Sequence, residues 1–280
     1  MNLFIENIYA AQMRNKSLLC VGLDPNFRIL DAMAIDLVTW LRSVVDAVAL
    51  HVCAFKPQIA HFSAQAKEAE LKHIIDYIHD KYPHVPVILD AKRGDIGTTA
   101  EKYAQEAFVH YQADAVTVNP YLGQDSLQPF LDYANKGVIA LCKTSNKGSD
   151  EFQNLRLENG TTLFEQVAHN AANNWNGNQN MLLVVGATYP QELAKIRSIV
   201  GQMPLLIPGI GAQGGDIAAT LQAGLNQNAQ QSGLIISSSR SIIFAGTTRQ
   251  DFADKAQLAC QKLNAQINDL WDIETQQLIH

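Results

Sequence analysis

Apolar residues along this chain follow two spacings that alternate from end to end. Short apolar runs closed by turn residues read as buried strands, and longer stretches with apolar side chains three and four apart read as amphipathic helices. Residues 18–23 form the first short run, ending at Asp24-Pro25-Asn26. Residues 34–50 then carry Leu37, Leu41, Val44, Val45 and Val48 at helical spacing, and residues 51–57 read as a second strand closed by Lys56-Pro57. A helix over 64–79 leads through Tyr82-Pro83 to a third strand over 85–89. Helix 99–111, strand 113–119, helix 123–133 and strand 137–143 continue the series, followed by a polar loop over 144–149. Helix 162–175, strand 181–185, helix 190–200, strand 204–208, a helix ending at Gly224, strand 233–237 and a long helix over 250–270 complete it.

Eight strands alternating with helices, with no linker, low-complexity segment or charge run between them, predict a single (β/α)8 TIM barrel over residues 1–280, an α/β fold. An open doubly wound sheet is the alternative. It accounts less well for the polar residues: Asp24, Lys56, Asp90, Lys92, Asn119, Ser145, Gln213 and Arg240 stand at the ends of different strands. A barrel gathers those ends at one mouth, where active sites of this architecture lie.

The third strand runs into Asp90-Ala91-Lys92-Arg93-Gly94-Asp95-Ile96-Gly97-Thr98-Thr99, which puts two carboxylates and a lysine within six residues. Period-two alternation points Asp90 and Lys92 to one face and Ala91 to the other, and Gly94 permits a sharp turn. Burying such charges costs several kcal/mol per ion, to an order of magnitude, before attraction offsets it. A structural ion pair would satisfy the spacing; so would a catalytic one.

Composition narrows the possibilities. The chain has 280 residues, 47% hydrophobic and 17% charged, enough for a large core. Its 27 acidic and 21 basic residues give a net charge of -6, which argues against a general nucleic-acid or anionic-membrane binder. Cys20, Cys53, Cys142 and Cys260 are far apart, with no zinc-type spacing, and read as reduced structural thiols. The eight histidines show no metal-binding spacing. The first 16 residues lack a basic start followed by an apolar core, and no apolar run approaches the length of a membrane span, so a cytoplasmic location is expected.

Gly209-Ile210-Gly211-Ala212-Gln213-Gly214 matches G-x-G-x-x-G, but the acidic residue that a dinucleotide site places about 20 residues later is missing; the eighth strand ends in Ser237-Ser238-Ser239-Arg240. The glycines read better as a phosphate cradle after strand seven, with Arg240 supplying the charge. Turn-forming glycines alone are the plainer reading.

Seven segments in order carry a family resemblance: Val21-Gly22-Leu23-Asp24-Pro25, Phe55-Lys56-Pro57, the Asp90–Thr99 stretch, Val118-Asn119-Pro120-Tyr121, Lys143-Thr144-Ser145-Asn146, Pro208 through Gly215, and Ser238-Ser239-Arg240. Over nearly its whole length the chain resembles the orotidine 5'-phosphate decarboxylases, in particular their second, bacterial subgroup. The resemblance implies cofactor-free and metal-free conversion of orotidine 5'-phosphate to UMP, in pyrimidine nucleotide synthesis. It implies a catalytic network of Lys56, Asp90, Lys92 and Asp95, with Lys92 as proton donor. Asp95, Ile96 and Thr99 would reach the neighbouring subunit's site, making the protein a homodimer. Asp24 and Lys56 would hold ribose hydroxyls, Ser145 the pyrimidine amide edge, and Gln213 and Arg240 the phosphate; Asn119, Pro208, Gly214 and Ser239 would complete the substrate contacts.

Two positions depart from the subgroup's pattern: Lys147 where proline is expected, and His61-Phe62-Ser63 in place of a more aromatic and acidic run. The magnesium-dependent sugar-phosphate branch, such as 3-keto-L-gulonate 6-phosphate decarboxylase, shares D-x-K-x-x-D but carries a carboxylate metal ligand on strand two. Here that strand carries Lys56, whose ammonium would repel Mg2+. A catalytically silent nucleotide-binding barrel or assembly subunit is the remaining alternative.

Overall fold

Eight strands, β1 (Leu19–Leu23), β2 (Ala54–Pro57), β3 (Ile88–Arg93), β4 (Ala115–Val118), β5 (Gly137–Lys143), β6 (Met181–Val185), β7 (Leu205–Pro208) and β8 (Leu234–Ser238), pair in parallel in the order β2-β1-β8-β7-β6-β5-β4-β3. Bridges between Phe55 and Val87 and between Gln58 and Asp90 join β2 to β3 and close the ring. The computed structural model, which describes residues 3–210, 215–226 and 231–279, thus has the (β/α)8 architecture that the alternation predicts.

Strand periodicity sorts the side chains into two cores. Cys20, Ala54, Ile88, Ala115, Ile139, Leu182, Leu206 and Ile235 point into the barrel and form its floor, whereas Val21, Phe55, Leu89, Val116 and their counterparts pack outward against the helices. The helix Leu37–Val48 shows how that outer layer is built. Asp36 Oδ1 accepts from Thr39 N at 2.9 Å and caps its start, and Leu37, Trp40, Leu41, Val44, Val45 and Val48 form its buried stripe. All four cysteines are buried and unpaired. Among the described residues no helix is long and apolar enough to cross a membrane.

Several features differ from the sequence reading, and three of them bear on the barrel. Leu3–Asn15 is a helix that seals the barrel floor: Phe4, Ile5, Ile8 and Ala11 join the inner core, and a Cβ on Gly137 would lie 2.3 Å from the Phe4 ring. Phe4, Ile5, Ile8 and Ala11 do recur at helical spacing, so the signal for this element lies in the sequence. At the other end, the last helix extends over Phe252–Ile279, past residue 270. The third is β3, which continues into the charged motif as far as Arg93.

Candidate active site

Two residues beyond the floor, the same strand parity turns Lys56 of β2, Asp90 of β3 and Thr117 of β4 inward at the C-terminal mouth. Lys56 and Asp90 are almost wholly buried, with 9% of each side chain exposed, and Lys56 Nζ donates to Asp90 Oδ2 at 2.8 Å. Lys92 Nζ donates to the other oxygen, Asp90 Oδ1, at 2.6 Å, yet 44% of its side chain remains open to the mouth. Thr117 Oγ1 donates to Asp90 Oδ1 at 2.8 Å. The carboxylate therefore receives three donors from three strands.

The electrostatics follow from this geometry. Burial alone would raise the Asp90 carboxyl, but the Lys56 and then the Lys92 ammonium outweigh it and hold its pKa well below the usual carboxylate range. Burial would likewise lower Lys56, and Asp90 followed by Asp24 overrides that penalty, so its pKa is raised above that of an ordinary lysine. Beneath them, burial pushes the Cys20 thiol up to about 12, leaving it a neutral packing group.

Asp90 and Lys92 meet as the alternation predicts, and Ala91 packs on the outer core. The backbone reaches that result by a different route. Leu89 pairs with Val116 and Arg93 with Val118, so three residues of β3 stand opposite Thr117 alone. Lys92 adopts φ +47°, a left-handed conformation that an L side chain rarely takes. Gly94, from which the turn was expected, serves close approach instead: a Cβ there would lie 3.2 Å from Asn119 Cβ.

A cavity of about 480 Å³ opens above this centre. Of the residues anticipated from sequence, Asp24, Lys56, Asp90, Lys92, Ser145, Pro208, Ser239 and Arg240 line it. Asp24 Oδ2 accepts from Ser239 Oγ at 2.7 Å, while Asp24 Oδ1 is buried with no hydrogen-bond partner among the described residues. Ser145 follows β5 and is backed by Gly186, where a Cβ would lie 2.8 Å from Ser145 Cβ.

Asp95, Ile96, Thr99 and Asn119 do not reach this cavity within one chain. Asp95 Oδ1 accepts from Ile96 N at 2.8 Å, and Asn119 Oδ1 accepts from Tyr121 N at 3.0 Å, an ordinary turn contact. Ile96, Tyr121 and Leu122 are exposed beside them. Gln213 and Gly214 lie outside the described residues. Of the anticipated cradle, Gly209 and Ile210 line the cavity, and Gly215 N donates to Gly209 O at 3.2 Å across the base of the loop.

Two residues escaped the sequence reading. Thr117 shares the inward parity of Ala115, which was the available signal. Lys143 is wholly buried, donates to Asp150 Oδ1 at 2.6 Å and Ser149 Oγ at 3.1 Å, and lies 4.5 Å from the centre of the Tyr189 ring. It ties the loop after β5 to the loop after β6, close to Ser145. Only the order of residues in the fold reveals that.

Residues 17–254 match the Orotidine 5'-phosphate decarboxylase / HUMPS family. An orotidine 5'-phosphate decarboxylase of Ralstonia pickettii is 55% identical over 269 residues, covering 95% of this chain and 98% of that protein. The chain belongs to the orotidine 5'-phosphate decarboxylase family. Another family member, from Cellvibrio japonicus, is 51% identical over 271 residues, 95% of this chain and 98% of its own. The solved Leishmania donovani OMP decarboxylase shares this family fold with a TM-score of 0.84 at 38% identity, covering 97% of this chain and 99% of that one.

Proposed function

We propose that this chain converts orotidine 5'-phosphate to UMP and carbon dioxide, with Lys92 as the proton donor to C6. The observation that carries this reading is Asp90 held between the Lys56 and Lys92 ammonium groups at 2.8 and 2.6 Å, in the floor of a cavity open to substrate. Loss of carbon dioxide leaves an electron pair in an in-plane orbital at C6, which the ring π-system cannot delocalise. The protein must stabilise it through space. An ammonium about 4 Å away contributes roughly 4 kcal/mol at an effective dielectric of 20. Lys92 suits this task because Asp90 fixes its direction and its side chain remains open to the mouth. A proton passing from Lys92 Nζ to C6 completes the exchange of a C–C bond for a C–H bond.

The remaining contacts distribute over the nucleotide. The unpartnered Asp24 Oδ1 suits a ribose hydroxyl, as an acceptor that water would otherwise fill. Ser145 would read the pyrimidine amide edge and Arg240 the phosphate, at opposite sides of the cavity wall. Binding energy from the phosphate, remote from the reacting carbon, supports orientation at C6. Asp90 stands near the carboxylate-bearing position, where its charge would also repel the group that leaves.

The functional unit in this account is a homodimer. Asp95 does not line the cavity of its own chain, and Ile96, Tyr121 and Leu122 are exposed apolar residues. Pairing through those residues would carry Asp95, Ile96 and Thr99 to the partner's site, where Asp95 would add the fourth charge of the network. Lys56 favours this reaction over magnesium-dependent sugar-phosphate chemistry, since its ammonium stands on strand two paired to Asp90. Purified protein mixed with orotidine 5'-phosphate should change its ultraviolet absorbance to that of UMP, with the same rate after EDTA treatment. Unchanged absorbance would contradict the assignment, and loss of activity with EDTA would favour the metal-dependent branch.

A further inference from the structure

The carboxylate that anchors both lysines is itself held by a residue to which nothing above gives a chemical role. Thr117 is buried, and its hydroxyl has one proton and two lone pairs. Ala91 N and Lys92 N each donate to Thr117 Oγ1 at 3.0 Å. Backbone N–H groups can only donate, so both lone pairs are occupied. The hydroxyl proton is thereby directed to Asp90 Oδ1, 2.8 Å away.

This arrangement solves a problem set by the bulge. Three residues of β3 face one of β4, so the Ala91 and Lys92 amides cannot continue the ladder to backbone carbonyls. Buried amides without partners, together with the left-handed backbone at Lys92, would favour a regular strand. A regular strand would keep Lys92 on the face of Asp90 but about 6.6 Å along the strand axis from it, an offset that the bulge shortens. The Thr117 hydroxyl takes the place of the missing carbonyls and, through the same oxygen, orients the carboxylate.

We infer that Thr117 is a positioning residue for the decarboxylation, fixing Lys92 and Asp90 in register through one hydroxyl that accepts from the bulge and donates to the carboxylate. The inference rests on the reaction proposed above. Thr117 does not line the cavity and would act through the Asp90 carboxylate and the backbone that carries Lys92.

Thr117→Val keeps the shape and removes the hydroxyl, whereas Thr117→Ser keeps the hydroxyl and removes a methyl group. For Thr117→Val, kcat should fall about 100-fold, the scale of a misplacement of about 1 Å at a reacting group. Its KM for orotidine 5'-phosphate should stay within about threefold, because uniform binding is untouched. Thr117→Ser should restore most of kcat. A residue with a merely structural role would lower the denaturation midpoint and leave the kcat of the folded protein unaltered in both variants. Should the valine variant fail to fold, Thr117→Ser and Thr117→Ala, which both lack the methyl group and differ only by the hydroxyl, carry the same comparison. Equal kcat across a hydroxyl-bearing and a hydroxyl-free variant would overturn the inference while wild-type turnover left the assigned reaction standing. A wild type that leaves orotidine 5'-phosphate unchanged would overturn both.

Discussion

Asp90 is the residue on which most of the site depends, because two lysines and a threonine take their orientation from it. Replacing it with Asn removes the counter-charge and leaves Lys56 buried with Asp24 as its remaining electrostatic partner. Breaking a buried pair from one side costs about 3–5 kcal/mol, so Asp90→Asn should lower the urea midpoint markedly as well as abolishing turnover. The sign of the pH dependence follows from the depressed carboxyl. The folded-state pKa lies below the unfolded value near 4, so the contribution is fully present above about pH 4 and is lost as pH falls toward the folded value. Lys56 has the opposite sense: its raised pKa contributes below the ordinary lysine value and loses that contribution as pH rises through the folded one. Urea titrations of wild type and Asp90→Asn should differ most near neutrality and converge in acid. A constant difference down to pH 2 would contradict the pairing. The charged residues at strand ends were legible in the sequence because apolar strands rarely end in lysine or aspartate by default. Thr117 was not, since a threonine within a strand is also an ordinary β-former.

At the scale of elements, the alternation of runs located all eight strands and most helices to within a few residues, because burial on one face enforces period two or period 3.6. It could not locate the β3 bulge: an extra residue in a strand has no hydropathic signature, and the left-handed position falls on Lys92 rather than on a glycine. The helix Leu3–Asn15 carries Phe4, Ile5, Ile8 and Ala11 at helical spacing, but nothing in that spacing tells that the stripe meets the barrel floor. The loops after β5 and β6 show how distant segments fix one side chain. Gly186 N donates to Lys143 O at 2.8 Å, and Ser145 presses on Gly186 so closely that a Cβ would lie 2.9 Å from Ser145 N. Gly186→Ala should therefore displace Ser145 and raise KM about tenfold, roughly 1.4 kcal/mol, with secondary structure intact. Steady-state kinetics beside circular dichroism checks this. An unaltered KM would mean that Ser145 does not contact the pyrimidine.

For the whole molecule, the barrel explains why residues on or just after β1, β2, β3, β5, β6, β7 and β8 share one cavity, and equally why Asp95, Ile96 and Thr99 do not belong to it within a single chain. In the proposed dimer a second copy would cover the exposed Ile96, Tyr121 and Leu122. Ile96→Glu places a charge in that contact and should yield a monomer by sedimentation, with kcat lower by about 100-fold for want of the partner's Asp95. A fully active monomer would remove the dimer from the account. Sequence could suggest this division only through family resemblance, because nothing in local patterning distinguishes a residue that serves its own barrel from one that serves a neighbour's.

The central claim is that Lys92 supplies both the stabilising charge and the proton at C6. Single-turnover decarboxylation of orotidine 5'-phosphate by Lys92→Ala, with UMP binding measured in parallel to confirm an intact site, tests it most directly. The account predicts a rate lower by several orders of magnitude with UMP still bound; turnover near the wild-type rate would contradict it.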